Sequence, residues 1–195
     1  MRHSTKINPK KAVLLIIDMQ NFFVDKKSHA YIPNVAAIIP KIIKLQDYCL
    51  QNKILAIQTR HINTKENAKM MSKWWGMEHL LGPEEPMSEI IAEIVNPKIM
   101  QLIKSQYDAF YNSNLEPILK NNNIEQVIIT GVATHLCCET TARSAFVRGY
   151  EVFFGADATA TYSDKFYSGS LINLTNGFAV PMLTNEIIAS LEEQK

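Results

Sequence analysis

Residues 12–17 form an unbroken apolar run that ends on Asp18, the pattern of a parallel strand covered on both faces. Residues 34–51 carry Ile38, Ile42, Ile43 and Leu45 at helical spacing, with Pro40 as a flaw near the first turn that leaves the start open. Further apolar runs at 54–59, 99–103, 127–132 and 151–154 read as strands, and 182–184 as a last short one. Helical patterns fall at 107–121, at 139–148 where Gly149 stops the run, at 168–178 and at 185–193, with 157–161 as a loop. About six strands alternating with helices predict an α/β chain with a mainly parallel central sheet, its functional groups at the carboxyl ends of the strands.

One stretch breaks this alternation. Residues 60–97 are polar and aromatic, with Met70, Met71, Trp74, Trp75, His79 and a Gly-Pro-Glu-Glu-Pro turn at 82–86. Long irregular excursions inside compact domains are often lids or binding loops.

Length and composition narrow the class. The 195 residues suit a single domain over 1–195, and 47% apolar with 20% charged residues is ordinary for a globular protein. A net charge of +1, with Lys and Arg scattered, points away from nucleic acid and anionic membrane and leaves a small molecule as the expected partner. The three cysteines show no zinc-type spacing, no secretory apolar segment precedes the first strand, and no run is long enough to span a bilayer. A cytoplasmic location is the expectation.

The chemistry concentrates where the strand 127–132 ends. Gly131 permits a tight turn, after which Cys137 and Cys138 stand at the mouth of the helix 139–148. At about 100° per residue two adjacent cysteines cannot share a helix face. Cys138 aligns with Ala142 and Ala145 on an apolar stripe, whereas Cys137 aligns with Thr141, Ser144 and Arg148, so Cys137 is assigned to chemistry and Cys138 to packing. Unpaired backbone N–H groups at a helix start lower a thiol pKa, which predicts a Cys137 that ionises and alkylates easily near neutral pH. Reading only the residues that leave strand ends adds an acid, Asp18, and a base, Lys104, on the same sheet edge.

Three segments, LLIIDMQNFF (14–23), KSQYDAF (104–110) and GVATHLCCETTARSA (131–145), make the sequence resemble the isochorismatase-like cysteine hydrolases, a superfamily that includes nicotinamidases, N-carbamoylsarcosine amidohydrolases and the isochorismatases. The resemblance implies a Rossmann-like three-layer α/β/α sandwich and an Asp18, Lys104, Cys137 triad. It also implies a cis peptide between Val132 and Ala133, and an oxyanion site built from the backbone N–H groups of Ala133 and Cys137. The implied reaction is cofactor-free hydrolysis of a small amide, ureido or carbamoyl compound through a thioester, and a homo-oligomer is expected. Two alternatives stand beside it. One is an isochorismatase-type ether hydrolase that tolerates loss of Cys137, and the other is a non-catalytic binding or redox-responsive member.

Nicotinamidases of that superfamily hold a metal through Asp-x-His and a later His. Here the corresponding strand end reads Thr59-Arg60-His61, so no metal is expected, and His61 and His79 are read as polar loop residues. Phe22, Phe23, Trp74 and Trp75 are read either as a substrate pocket or as core and interface packing. His135 is read as a substrate contact or a rim residue. Gln20 and Asn21 follow the acid and serve either the site or a turn.

Overall fold

The computed structural model describes residues 6–194. Strand β1 (Ala12–Ile17) is followed by the short helix α1 (Asn21–Val24), helix α2 (Val35–Gln51) and strand β2 (Leu55–His61). Helix α3 (Met70–Trp75) lies in the excursion before β3 (Met100–Lys104). Helix α4 (Leu115–Asn121), strand β4 (Gln126–Val132), helix α5 (Glu139–Val147) and strand β5 (Glu151–Ala160) come next. Helix α6 (Asp164–Gly177), strand β6 (Val180–Met182) and helix α7 (Thr184–Glu192) close the described chain.

All six strands join one parallel sheet in the order β3-β2-β1-β4-β5-β6. Its two faces follow from the period of two along each strand. On β1, Leu14 and Ile16 pack with Ile38, Ile42 and Leu45 of α2 and with Ile187 and Leu191 of α7. Val13, Leu15 and Ile17 pack on the other side with Leu115 and Leu119 of α4, Ala142 and Ala145 of α5 and Leu174 of α6. Helices therefore cover both faces, and the three-layer sandwich follows. Pro40 lies inside α2, where a proline costs about 3 kcal/mol; burial of Ile38, Ile42 and Leu45 along one stripe outweighs it.

Four expectations change, the first being that the last strand, read over 182–184, runs over Val180–Met182 and gives way to α7 at Thr184. The helix read over 107–121 forms only from Leu115, because side chains before it take the backbone N–H groups: Asp108 Oδ1 accepts from Phe110, Thr141 Oγ1 from Ala109 and Ser113 Oγ from Leu115. The loop read at 157–161 is mostly strand, since β5 continues through Ala160, with a register shift that lets Thr159 and Ala160 pair with Gly131 and Val132. Helix α6 starts earlier than read, at Asp164, where Ser163 Oγ caps it by accepting from the Phe166 N–H. No helix among the described residues is long and apolar enough to cross a membrane.

Candidate active site

The carboxyl ends of β1, β3 and β4 meet at one place on the sheet edge. Gly131, at φ +106°, makes this possible: a Cβ there would overlap the carbonyl oxygen of Ile17, so only glycine lets the end of β4 lie against the end of β1. Asp18 follows directly with a left-handed φ of 49°, and the peptide between Val132 and Ala133 is cis. The chain then makes a π-type turn, Thr134–Cys138, ahead of α5, with Ala133 O accepting from the N–H groups of Leu136 and Cys138.

Lys104 Nζ stands 2.6 Å from Asp18 Oδ2, with both side chains fully buried. The same ammonium donates to Gln106 O at 2.9 Å and to Cys137 Sγ at 3.4 Å, and lies 3.5 Å from His61 Nδ1. Thr59 secures the acid from β2: its hydroxyl donates to Asp18 Oδ1 at 2.6 Å and accepts from the Asp18 N–H at 3.1 Å. Gln20 has the structural role of the two left open. Its side chain donates to His61 O and Ser88 O and accepts from the His61 N–H, while Asn21 Nδ2 donates to Pro86 O, so both fasten the 86–90 segment to the edge.

Burial governs the protonation states. For Lys104 it favours the neutral amine, but Asp18, and Cys137 when ionised, outweigh it and hold the pKa above the ordinary lysine value. Burial pushes the Cys137 thiol up to about 12; Lys104 opposes this, while Asp18 adds to it through its charge and a hydrogen bond. The expectation of a readily ionised Cys137 is therefore corrected. The sulfur sits in a buried π turn beside a carboxylate, so the resting state is a thiol, and its alkylation near neutral pH is expected to be slow. Cys138, fully buried, is also raised well above the usual value by burial, and its Sγ points to Thr130 O at 3.9 Å.

These thiols carry a consequence for stability. Cys49 and Cys137 both ionise at about 12 in the folded chain, against an ordinary value near 9, because burial disfavours the thiolate. A raised folded pKa gives stability that is complete below the unfolded pKa and lost as pH climbs toward the folded one. The urea midpoint should hold up to about pH 8.5 and fall steadily toward pH 11, and Cys49→Ala should flatten that fall. A midpoint unchanged over this range would show that the folded thiols ionise as easily as unfolded ones.

A cavity of 460 Å³ opens over Cys137 and Ala133. Phe22, Phe23, Trp75 and His135 line it as one of the two readings had it, whereas Trp74 lies outside it and is 75% exposed. The six-residue helix α3 turns Trp75 inward, where its Nε1 donates to Tyr107 OH at 2.6 Å. His135 stacks on Phe166 at 4.3 Å with its Nδ1 2.5 Å from Thr161 Oγ1. Tyr107, Tyr162 and Phe166 were missed as lining residues. Their signal was position: Tyr107 stands three residues past the end of β3 and Tyr162 two past the end of β5, where ligands of parallel sheets collect.

His61 corrects another expectation. It is the last residue of β2, 5% exposed, and no loop residue, while His79 is in an exposed 3₁₀ turn. Burial first, then Lys104, pushes the His61 pKa down to about 4, so the ring is neutral. A metal of the nicotinamidase type does not fit these residues. Thr59 commits its hydroxyl to Asp18, the two ring nitrogens of His61 face Asn63 and the Lys104 ammonium, and no carboxylate is among the residues lining the cavity.

Sequence and structure comparisons place the chain among known proteins. The chain is 35% identical to Nicotinamidase 3 of Arabidopsis thaliana over 88% of its own length and 84% of the relative's. It is 33% identical to Enterobactin synthase component B of Escherichia coli K12 over 92% of its length, spanning 63% of that protein. Two solved structures share the fold: a cysteine hydrolase from Pseudomonas syringae pv. phaseolicola, at TM-score 0.91 and 24% identity over the full length of both chains, and N-carbamoylsarcosine amidase from Thermoplasma acidophilum, at 0.78 and 23% over 90% of this chain and 97% of that one. The profile of the Isochorismatase domain matches residues 12–186, and with it the chain belongs to the isochorismatase domain family.

Proposed function

We propose that the protein is a cysteine-dependent hydrolase of a small, uncharged amide, ureido or carbamoyl compound. The observation that carries this reading is a thiol at the floor of an aromatic-lined cavity, 3.4 Å from a lysine that is itself 2.6 Å from a buried carboxylate. Asp18 accepts the Cys137 proton as Sγ attacks the carbonyl carbon, and the backbone N–H groups of Ala133 and Cys137 hold the oxyanion. Asp18 returns that proton to the leaving nitrogen, the C–N bond breaks, and a thioester remains. Water then attacks the thioester with Asp18 as base, the C–S bond breaks, the acid leaves and the thiol is regenerated. Lys104 stays cationic throughout and stabilises whichever anion is present.

The wall of the cavity favours this over ether hydrolysis of isochorismate. No Lys, Arg, Asp or Glu is among the residues lining it, and burial lowers the pKa of His135, which keeps that ring neutral. A carboxylate-bearing substrate would find no fixed positive charge there, since Lys104 lies behind the wall, paired with Asp18. The relatives named nicotinamidase and N-carbamoylsarcosine amidase place nicotinamide and carbamoyl compounds first in a test panel. Ammonia release from amides, ureas and carbamoyl compounds, with Cys137→Ala as the blank, is the test. Ligand binding without turnover on any of them would favour a non-catalytic member.

Trp75 and Trp74 should separate in the same assay. Trp75→Ala removes a cavity wall and is expected to change the ratio of rates between a ring-bearing and an aliphatic amide by about five- to thirty-fold, the worth of one aromatic contact. Trp74→Ala should leave that ratio unchanged, as its ring is outside. Equal effects from both would place the specificity elsewhere in the excursion.

A further inference from the structure

Thr59 and His61 are two residues apart on β2, so they point to the same face, the one that meets the triad. Thr59 serves the acid. His61 meets the lysine, and a count of hydrogens shows what it can do there. An ammonium carries three hydrogens. Four acceptors surround Lys104 Nζ: Asp18 Oδ2 at 2.6 Å, Gln106 O at 2.9 Å, Cys137 Sγ at 3.4 Å and His61 Nδ1 at 3.5 Å. The first is a close ion pair off hydrogen-bond alignment that claims the nearest hydrogen by its charge, and the second takes another. The third hydrogen has two partners at nearly equal distance.

The free lone pair on Nδ1 follows from the far side of the ring. His61 Nε2 lies 2.5 Å from Asn63 Oδ1, which only accepts, and Asn63 is held in that orientation by its Nδ2 donating to Ser105 O at 2.6 Å. The ring proton is assigned by these bonds to Nε2, leaving Nδ1 as an acceptor. Burial and the neighbouring ammonium keep the ring from taking a second proton, its pKa being about 4.

We propose that His61 is a positioning residue of the triad: its Nδ1 shares the third ammonium hydrogen of Lys104 with Cys137 Sγ, holding it while the sulfur is a thiol and releasing it when the sulfur becomes a thiolate. A charged acceptor makes the stronger hydrogen bond, so the hydrogen turns to sulfur as Asp18 takes the thiol proton. Only a hydrogen bond moves; the lysine keeps all three protons. This rests on the cysteine-hydrolase reading and adds to it a reason for a neutral, buried histidine where that reading requires none.

Two near-isosteres test it. Asparagine places its amide oxygen where Nδ1 stands and loses the contact with Asn63, whereas glutamine places its amide nitrogen where Nε2 stands and loses the acceptor facing Lys104. In His61→Gln the third hydrogen should settle on sulfur in the resting protein. The thiolate then forms about ten-fold more easily but is a poorer nucleophile, so iodoacetamide should label Cys137 about three-fold faster at a fixed pH. Ammonia release from nicotinamide should rise by no more than the same factor in kcat, with KM within about three-fold. His61→Asn keeps an acceptor facing Lys104 and should stay within about 1.5-fold of the parent in both measurements. A merely structural histidine predicts the reverse order, because glutamine keeps the bond to Asn63. That order, or labelling unchanged in both variants, would overturn the proposal. The labelling arm needs no substrate, so a protein that hydrolyses no amide would sink the amidase reading and leave this one still decided by the labelling rates.

Discussion

Cys137→Ala is expected to lower amide hydrolysis by at least about four orders of magnitude, because it removes the atom that forms the thioester and nothing else at the cavity floor can replace it. The fold should survive. Cys137 is 5% exposed and its truncation deletes one sulfur, a packing loss of about 1 kcal/mol that a thermal melt would resolve as a few degrees. Cys138→Ala makes the matching control, since that sulfur packs on the α5 side of the sheet at a similar cost and lines no part of the cavity. Turnover should persist there. If Cys137→Ala instead retains activity on an ether substrate, the cavity performs a reaction in which the thiol takes no part, and the isochorismatase-type alternative stands in its place.

The contrast between the two cysteines shows what the linear sequence holds and what it does not. Only Cys137 lines the cavity, but helix periodicity is not what separates the two: both precede α5 in the π-type turn and both are buried in one cluster, and Thr141 and Ser144 of the face read as polar are buried too. The approach of Asp18, Lys104 and Cys137 is legible because each leaves the end of a parallel strand, and parallel strands deliver their ends to one edge. Depth is not legible. A sequence places a lysine near a thiol without saying how much water reaches either, and here burial wins over the cation, so the thiol is raised where proximity alone predicts a depressed value. The same ignorance of depth makes His61 read as a loop residue, although it ends a strand and is buried against Lys104. Trp74 and Trp75 cannot be told apart because α3 is too short to show a stripe, and the segment 107–114 reads as helix because the competing hydrogen bonds of Asp108 and Ser113 leave no periodic trace.

The buried Asp18–Lys104 pair should give the largest loss of stability on substitution. Lys104→Met leaves the Asp18 carboxylate in the interior with Thr59 as its remaining side-chain donor among the bonds described, and removing one partner of a buried ion pair costs about 3–5 kcal/mol. For a chain of this length that corresponds to a fall in melting temperature of about 6–20 °C. Asp18→Asn should cost less, because Lys104 keeps Gln106 O and His61 Nδ1, but it should abolish turnover by removing the group proposed to carry a proton from sulfur to the leaving nitrogen. The double variant, Asp18→Asn with Lys104→Met, separates the two effects. With no charge left to strand, its melting temperature should recover to above that of Lys104→Met alone, a coupling of about 1–3 kcal/mol in the double-mutant cycle, while ammonia release stays at background. Additive losses in stability would mean that the two charges are not coupled in the folded protein. Measurable turnover in Asp18→Asn would move the proton carrier to another group, and the neutral imidazole of His61 would be the next to change.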